Sequence, residues 1–155
     1  MRTAHHEAGH AVIGYRFGLG LADVTIKPGK NRNGFVGFWK EFKTTEQEAL
    51  TLLAGHAAQK YFHPDDKSEP SISDYRRLWS ITESMQSVEY RELFLTVDRL
   101  VAENETQIQA VAEALLECET LEAGLFACII DDVDSGLDWR KNKALGCFKE
   151  YAGLD

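Results

Sequence analysis

Cysteine, proline and basic charge are all scarce in this sequence, and each scarcity removes a class of function. The three cysteines, Cys118, Cys128 and Cys147, are odd in number, widely spaced and form no C-x-x-C pair. That excludes a disulfide framework and a cysteine-type zinc knuckle, and it leaves the thiols expected as reduced, buried packing residues. Lys and Arg number 17 against 25 Asp and Glu, a formal charge of −8. A surface of that sign repels phosphate backbones and anionic lipid, so neither nucleic acid nor membrane is expected as a partner. No apolar run approaches the length of a spanning helix, and no basic stretch precedes an apolar segment near Met1. The expectation is a soluble, cytoplasmic protein. A G-x-x-x-x-G-K-[ST] phosphate loop is also missing, so ATP-driven work is not read in this chain. What is present, 155 residues with 44% hydrophobic and 27% charged, suits one domain over 1–155 better than two.

All three prolines (Pro28, Pro64, Pro70) and most of the glycines precede position 71, so the irregular structure belongs to the first half. Thr3 can cap a helix running to about Phe17, with stops at Gly18 and Gly20, and His6, His10, Ile13 and Phe17 fall near one face of it. Val24 and Ile26 then alternate with Thr25 and Lys27. After the turn-rich stretch Pro28 to Gly34, Phe35 to Trp39 resumes an extended apolar pattern, which predicts a small antiparallel ribbon. Thr45 with Glu48 makes a T-x-x-E capping box ahead of Leu50, Leu53, Ala54, Ala57, Ala58 and Tyr61 at helical spacing. The stretch Phe62 to Pro70 breaks that helix, and Ser71 or Ser73 can cap a third carrying Asp74, Leu78 and Ile81. Leu93 to Val101 and Ile108 to Leu116 give two long amphipathic segments joined near Asn104. An acidic break follows at Asp131, Asp132 and Asp134, where Asp132 to Gly136 reads as a solvated turn rather than a calcium loop, and a weakly periodic segment runs from Leu137 to Tyr151. Trp39, Trp79 and Trp139 are expected to pack in the core or at its edge rather than to form a binding box. The fold class is mainly α (α+β), a helical bundle with a small antiparallel β-ribbon.

The chemistry concentrates in His6-Glu7-Ala8-Gly9-His10, an H-E-x-x-H. Two histidines one helical turn apart can bring both imidazoles to a single ion, and Glu7 on the same turn can take a proton from a metal-bound water. Zinc, Zn2+, suits neutral imidazoles and carboxylates, and with three protein ligands it keeps a fourth position for water whose pKa falls to about 7. Metal-assisted amide hydrolysis with Glu7 as general base follows from those residue types. The plainer reading makes His6 and His10 ordinary helix residues and Glu7 a first-turn acid favoured by the helix dipole. Gly9 argues against it, because a glycine inside a helix costs about 1 kcal/mol and calls for a close approach of another backbone. By residue type the third ligand is open among His5, His56, His63, Asp65, Asp66, Glu69 and Asp74. His5 points about 100° away from His6 around the helix, which makes it a surface residue or a support to the ligands.

The run AHHEAGHAVIG (Ala4 to Gly14) resembles the peptidase domain of the FtsH-type ATP-dependent zinc metalloproteases. The similarity continues through Asp23-Val24-Thr25-Ile26-Lys27-Pro28, Gly34 to Phe38, the helix Leu53 to Gln59, Ser73-Asp74-Tyr75 and the late helix Ala114 to Leu121, spanning about residues 4–130. It implies a zinc metallopeptidase in which Asp74, 64 residues after His10, is the third ligand beside His6 and His10, with Glu7 as catalytic base. It also implies a polypeptide substrate, assembly into hexamers and a separate unfoldase, since the motor is not in this chain. His56 and Gln59 stand where the family usually has Arg and Glu, and Ser73 replaces an Asn without the usual glycine-rich run before it. Two other readings are a zinc-bearing interaction or regulatory module with little proteolysis, and a compact H-E-x-x-H peptidase of the phage-repressor-cleaving kind. The Ala114 to Leu121 helix counts against the second.

Overall fold

In the computed structural model, which describes residues 1–142, six α-helices accompany one three-stranded antiparallel sheet, against which the first, fifth and sixth helices pack. Helix α1 (Arg2–Arg16) runs between two hydrophobic clusters, and every residue from Ala4 to Gly14 except His6 is buried. Ala8, Ala11 and Val12 join a cluster built with Val111, Leu115, Leu121 and Phe126. Ile13 belongs to the other, with Leu50, Leu53, Leu78, Leu93 and Val97. A helix buried on nearly all sides needs small residues where its neighbours cross closely. Thr3 lies inside α1 rather than capping it, and the helix starts one turn's fraction earlier, with Met1 at the N-cap.

Helix α2 (Thr45–Phe62) crosses α1 closely at Gly9. A Cβ on Gly9 would lie 2.5 Å from the Ala54 carbonyl oxygen and 2.7 Å from the Ala58 Cβ. The glycine therefore gives up helix propensity to let two backbones touch. Gly9→Ala is expected to destabilise the fold by about 1–3 kcal/mol despite the better helix former, because the crossing must open. The shift of the urea unfolding midpoint measures it, and an unchanged or higher midpoint would contradict the close crossing.

Strand β1 (Leu21–Thr25) pairs with β2 (Phe35–Phe38) as the sequence pattern anticipates, Val24 opposite Val36. A third strand, β3 (Thr120–Glu122), pairs with the other side of β1, so the order is β2-β1-β3 and β2 is an edge. Those residues had read as the end of a helix. Helix α5 (Glu105–Cys118) instead stops at Glu119, which adopts a left-handed conformation with φ 61°. Its carbonyl accepts hydrogen bonds from the Ile26 N–H at 2.8 Å and the Thr25 hydroxyl at 3.0 Å, which fastens the helix end to β1. Without a glycine there, the sequence carries no stop signal.

The cap of α2 falls one residue earlier than the T-x-x-E reading, since Thr44 accepts the Gln47 N–H at 3.1 Å. Ser71, not Ser73, caps α3 (Ile72–Thr82). Helix α4 (Ser87–Glu103) and α5 are separate, divided at the buried Asn104. The expected acidic break at Asp131 to Asp134 is a helix, α6 (Ala123–Asp134), held in the core by Phe126, Ile129 and Ile130. Asp134 closes on Arg16 through two hydrogen bonds of 2.7 Å, which offsets the unfavourable meeting of acids with a helix C-terminus. Trp139 is buried in a short 3₁₀ turn, but Trp39 and Trp79 are 74% and 70% exposed, so core packing holds for only one of the three. Cys118 is half-buried, with its thiol pushed up to about 11 by burial and by Glu117, whereas Cys128 is exposed. Cys147 and most of the Leu137 to Tyr151 segment lie outside the described residues. No described helix is long and apolar enough to cross a membrane.

Candidate metal centre

Helix α1 sets His6 and His10 one turn apart, and the N-terminal turn of α3 brings Asp74 to them. The His6 Nε2 lies 3.2 Å from Asp74 Oδ2, the His10 Nε2 lies 3.3 Å from the same oxygen, and the two Nε2 atoms are 3.0 Å apart. Four-coordinate zinc with bonds of about 2.1 Å needs its donors roughly 3.4 Å apart. Two imidazole nitrogens and a carboxylate oxygen are also the donor types zinc takes, so the cluster fits that ion in spacing and chemistry. Among the described residues it is the group of His, Cys, Asp and Glu that can hold a metal.

Neighbouring backbone fixes the donors. The Thr51 carbonyl accepts the His10 Nδ1–H at 2.7 Å, which leaves Nε2 as the nitrogen aimed at the ion position. Gly55, on the next turn of α2, lies against the His10 ring, and a Cβ there would overlap His10 Nε2. Gly34, just before β2, does the same for Glu7, whose carboxylate a Cβ would strike. Two glycines thus shape the walls around one ligand and the proposed base.

Electrostatics draw positive charge into this cluster. Burial opposes a charge on His10, yet the hydrogen bond and charge of Asp74, helped by Glu7 and the Thr51 carbonyl, push the imidazole up to about 9. Burial likewise opposes charge on Asp74, but hydrogen bonds from His10 and His6 hold its carboxyl well below the usual carboxylate range. Glu7 is raised by burial against the pull of His10 and His6. A carboxyl that is buried beside a metal-ligand set, and raised, suits a group that must take and return a proton.

The remaining ligand candidates lie elsewhere. His5 is buried rather than on the surface, stacked on Phe62 at 4.2 Å, with Nε2 on the Gln109 side-chain oxygen at 2.8 Å and Nδ1 3.0 Å from His63 Nε2. Asp66 is taken up by Arg2 at 2.9 Å, Gln59 at 2.6 Å and Ser68 at 2.9 Å. His56 is half-buried with an Nδ1 that finds no hydrogen-bond partner among the described residues. Glu69 reaches the cleft but not the cluster.

A cleft of about 1090 Å³ opens over the cluster, with Glu7, His6, His10 and Asp74 in its lining together with Phe35 and Arg32. Sequence reasoning missed the Thr51 carbonyl, which leaves no trace in residue type. Gly55 carried a signal, a glycine within a core helix, of the same kind that Gly9 gave. No protein-family model matches the chain, and none of the curated proteins searched does.

Proposed function

We propose that this protein is a zinc-dependent metallopeptidase resembling the FtsH peptidase domain, with His6, His10 and Asp74 as ligands and Glu7 as general base. The observation that carries the reading is the convergence of two α1 imidazoles and an α3 carboxylate at 3.0 to 3.3 Å beside a buried glutamate. Zinc bound there supplies Lewis acidity toward a carbonyl oxygen and a water of lowered pKa. Glu7 takes the proton from the water that attacks the scissile carbonyl and passes it to the leaving amine. Thr51 holds His10 in the tautomer that ligation requires. The outer edge of β2 carries no partner strand among the described residues, so an extended peptide can align there by backbone hydrogen bonds beside Glu7.

Casein, already unfolded, tests the reading without any motor. Zinc-loaded protein is expected to cleave it, a chelator to abolish cleavage, and added zinc to restore it. Zinc-loaded protein that leaves casein intact would replace the peptidase reading with that of a zinc-bearing interaction module.

A further inference from the structure

Eight arginines lie in the described residues, and five of them are in ion pairs: Arg2, Arg16, Arg77, Arg99 and Arg140. Two of the three outside those pairs, Arg32 and Arg76, line the cleft over the metal cluster, where the charge of Arg32 also acts on Glu7. In a chain with 25 acidic residues against 17 basic ones, a cleft that keeps two guanidinium groups out of salt bridges among the described residues is against the trend of the surface.

Arg32 is the better fixed of the two. Its residue closes a tight turn, in which the Gly29 N–H donates to the Arg32 carbonyl at 2.8 Å, and its guanidinium lies 4.1 Å above the ring of Phe35. Stacking on an aromatic face orients the planar group while leaving its N–H edges free, the arrangement that binds a carboxylate through two parallel hydrogen bonds. Gly34, two residues on, abuts the Glu7 carboxylate, and the charge of the stacked guanidinium acts on that carboxylate.

We propose that Arg32 is a substrate-binding residue that anchors a carboxylate of the peptide, making acidic peptides the preferred ligands of this cleft. This rests on the peptidase reading above. The carboxylate has two sources in a peptide, an Asp or Glu side chain or the free C-terminus, and the ligand set must separate them.

Binding to the zinc-loaded Glu7→Gln variant, measured by fluorescence anisotropy, avoids turnover. Three labelled peptides of one length serve: one with an internal Glu and an amidated C-terminus, one with Gln and a free C-terminus, and one with Gln and an amide. Tighter binding of either acidic peptide than of the neutral one is expected. Adding Arg32→Ala should cut the affinity of that peptide by about 10–100-fold, the range of a charge-assisted hydrogen-bonded pair. Arg32→Lys should recover part of the loss, and Arg91→Ala, on the exposed face of α4 away from the cleft, should leave the affinity unchanged. Equal binding of all three peptides, or a loss in Arg32→Ala that is the same for the neutral peptide, overturns the carboxylate anchor and leaves the peptidase reading standing. Zinc-loaded protein that binds no peptide of any charge removes both.

Discussion

Glu7→Gln is expected to retain zinc and lose casein hydrolysis by roughly 10²–10⁴-fold, the range general acid–base catalysis contributes. The substitution keeps the shape that fits against Gly34, where there is no room for a larger contact, and Glu7 is not among the three donors of the cluster. It removes only the ability to accept a proton. Burial already disfavours the Glu7 anion, so the amide should also be tolerated by the fold, and the unfolding midpoint should not fall. A variant that cleaves casein at the wild-type rate with unchanged zinc content would show that another group takes the proton. A variant that also loses zinc would show that Glu7 belongs to the ligand set.

The parts of this site that were legible in the sequence are those carried by residue type at fixed spacing. His6 and His10 sit one turn apart on one helix, where spacing alone brings them to one face with Glu7 on the same turn, and α1 forms where the pattern placed it apart from its start. Gly9 was legible as well, because a glycine inside a helix implies a neighbour, and Ala54 is that neighbour. Asp74 was not singled out by spacing. Seven side chains of suitable type competed for the role, and family resemblance chose one that the fold then brings within 3.3 Å of both histidines. The errors share a cause. Strand β3 and helix α6 were missed because their determinants are tertiary: Glu119 ends α5 through bonds made to β1, and Arg16 from α1 pairs with Asp134 at the end of α6. Local propensity cannot see a partner a hundred residues away. Trp39 and Trp79 failed for the converse reason, since aromatic character predicts burial on average and says nothing about which face of a strand or helix meets the core.

Protein purified without added metal is expected to hold near one zinc per chain at the cluster, and His10→Ala and Asp74→Ala should each lose it or hold it far more weakly. Removing a ligand leaves two donors, too few for the four-coordinate site zinc prefers once water takes one position. The pH dependence gives the stronger test because its sign is fixed. In the metal-free chain the folded pKa of His10 is about 9, above its ordinary 6.5. Its charged form therefore adds stability that is fully present below about 6.5 and is lost as pH rises through about 9. Zinc requires the neutral imidazole, so the proton and the metal compete for the same nitrogen, and apparent zinc affinity should rise with pH until near 9. The thermal unfolding midpoint of the metal-free protein should fall over that interval while the gain on adding zinc grows. His10→Ala should abolish both trends together. A zinc affinity that is flat from pH 6 to 9 would mean that the metal is held by other donors, and an Asp74→Ala variant with wild-type zinc content would say the same of the carboxylate that brings the proton there.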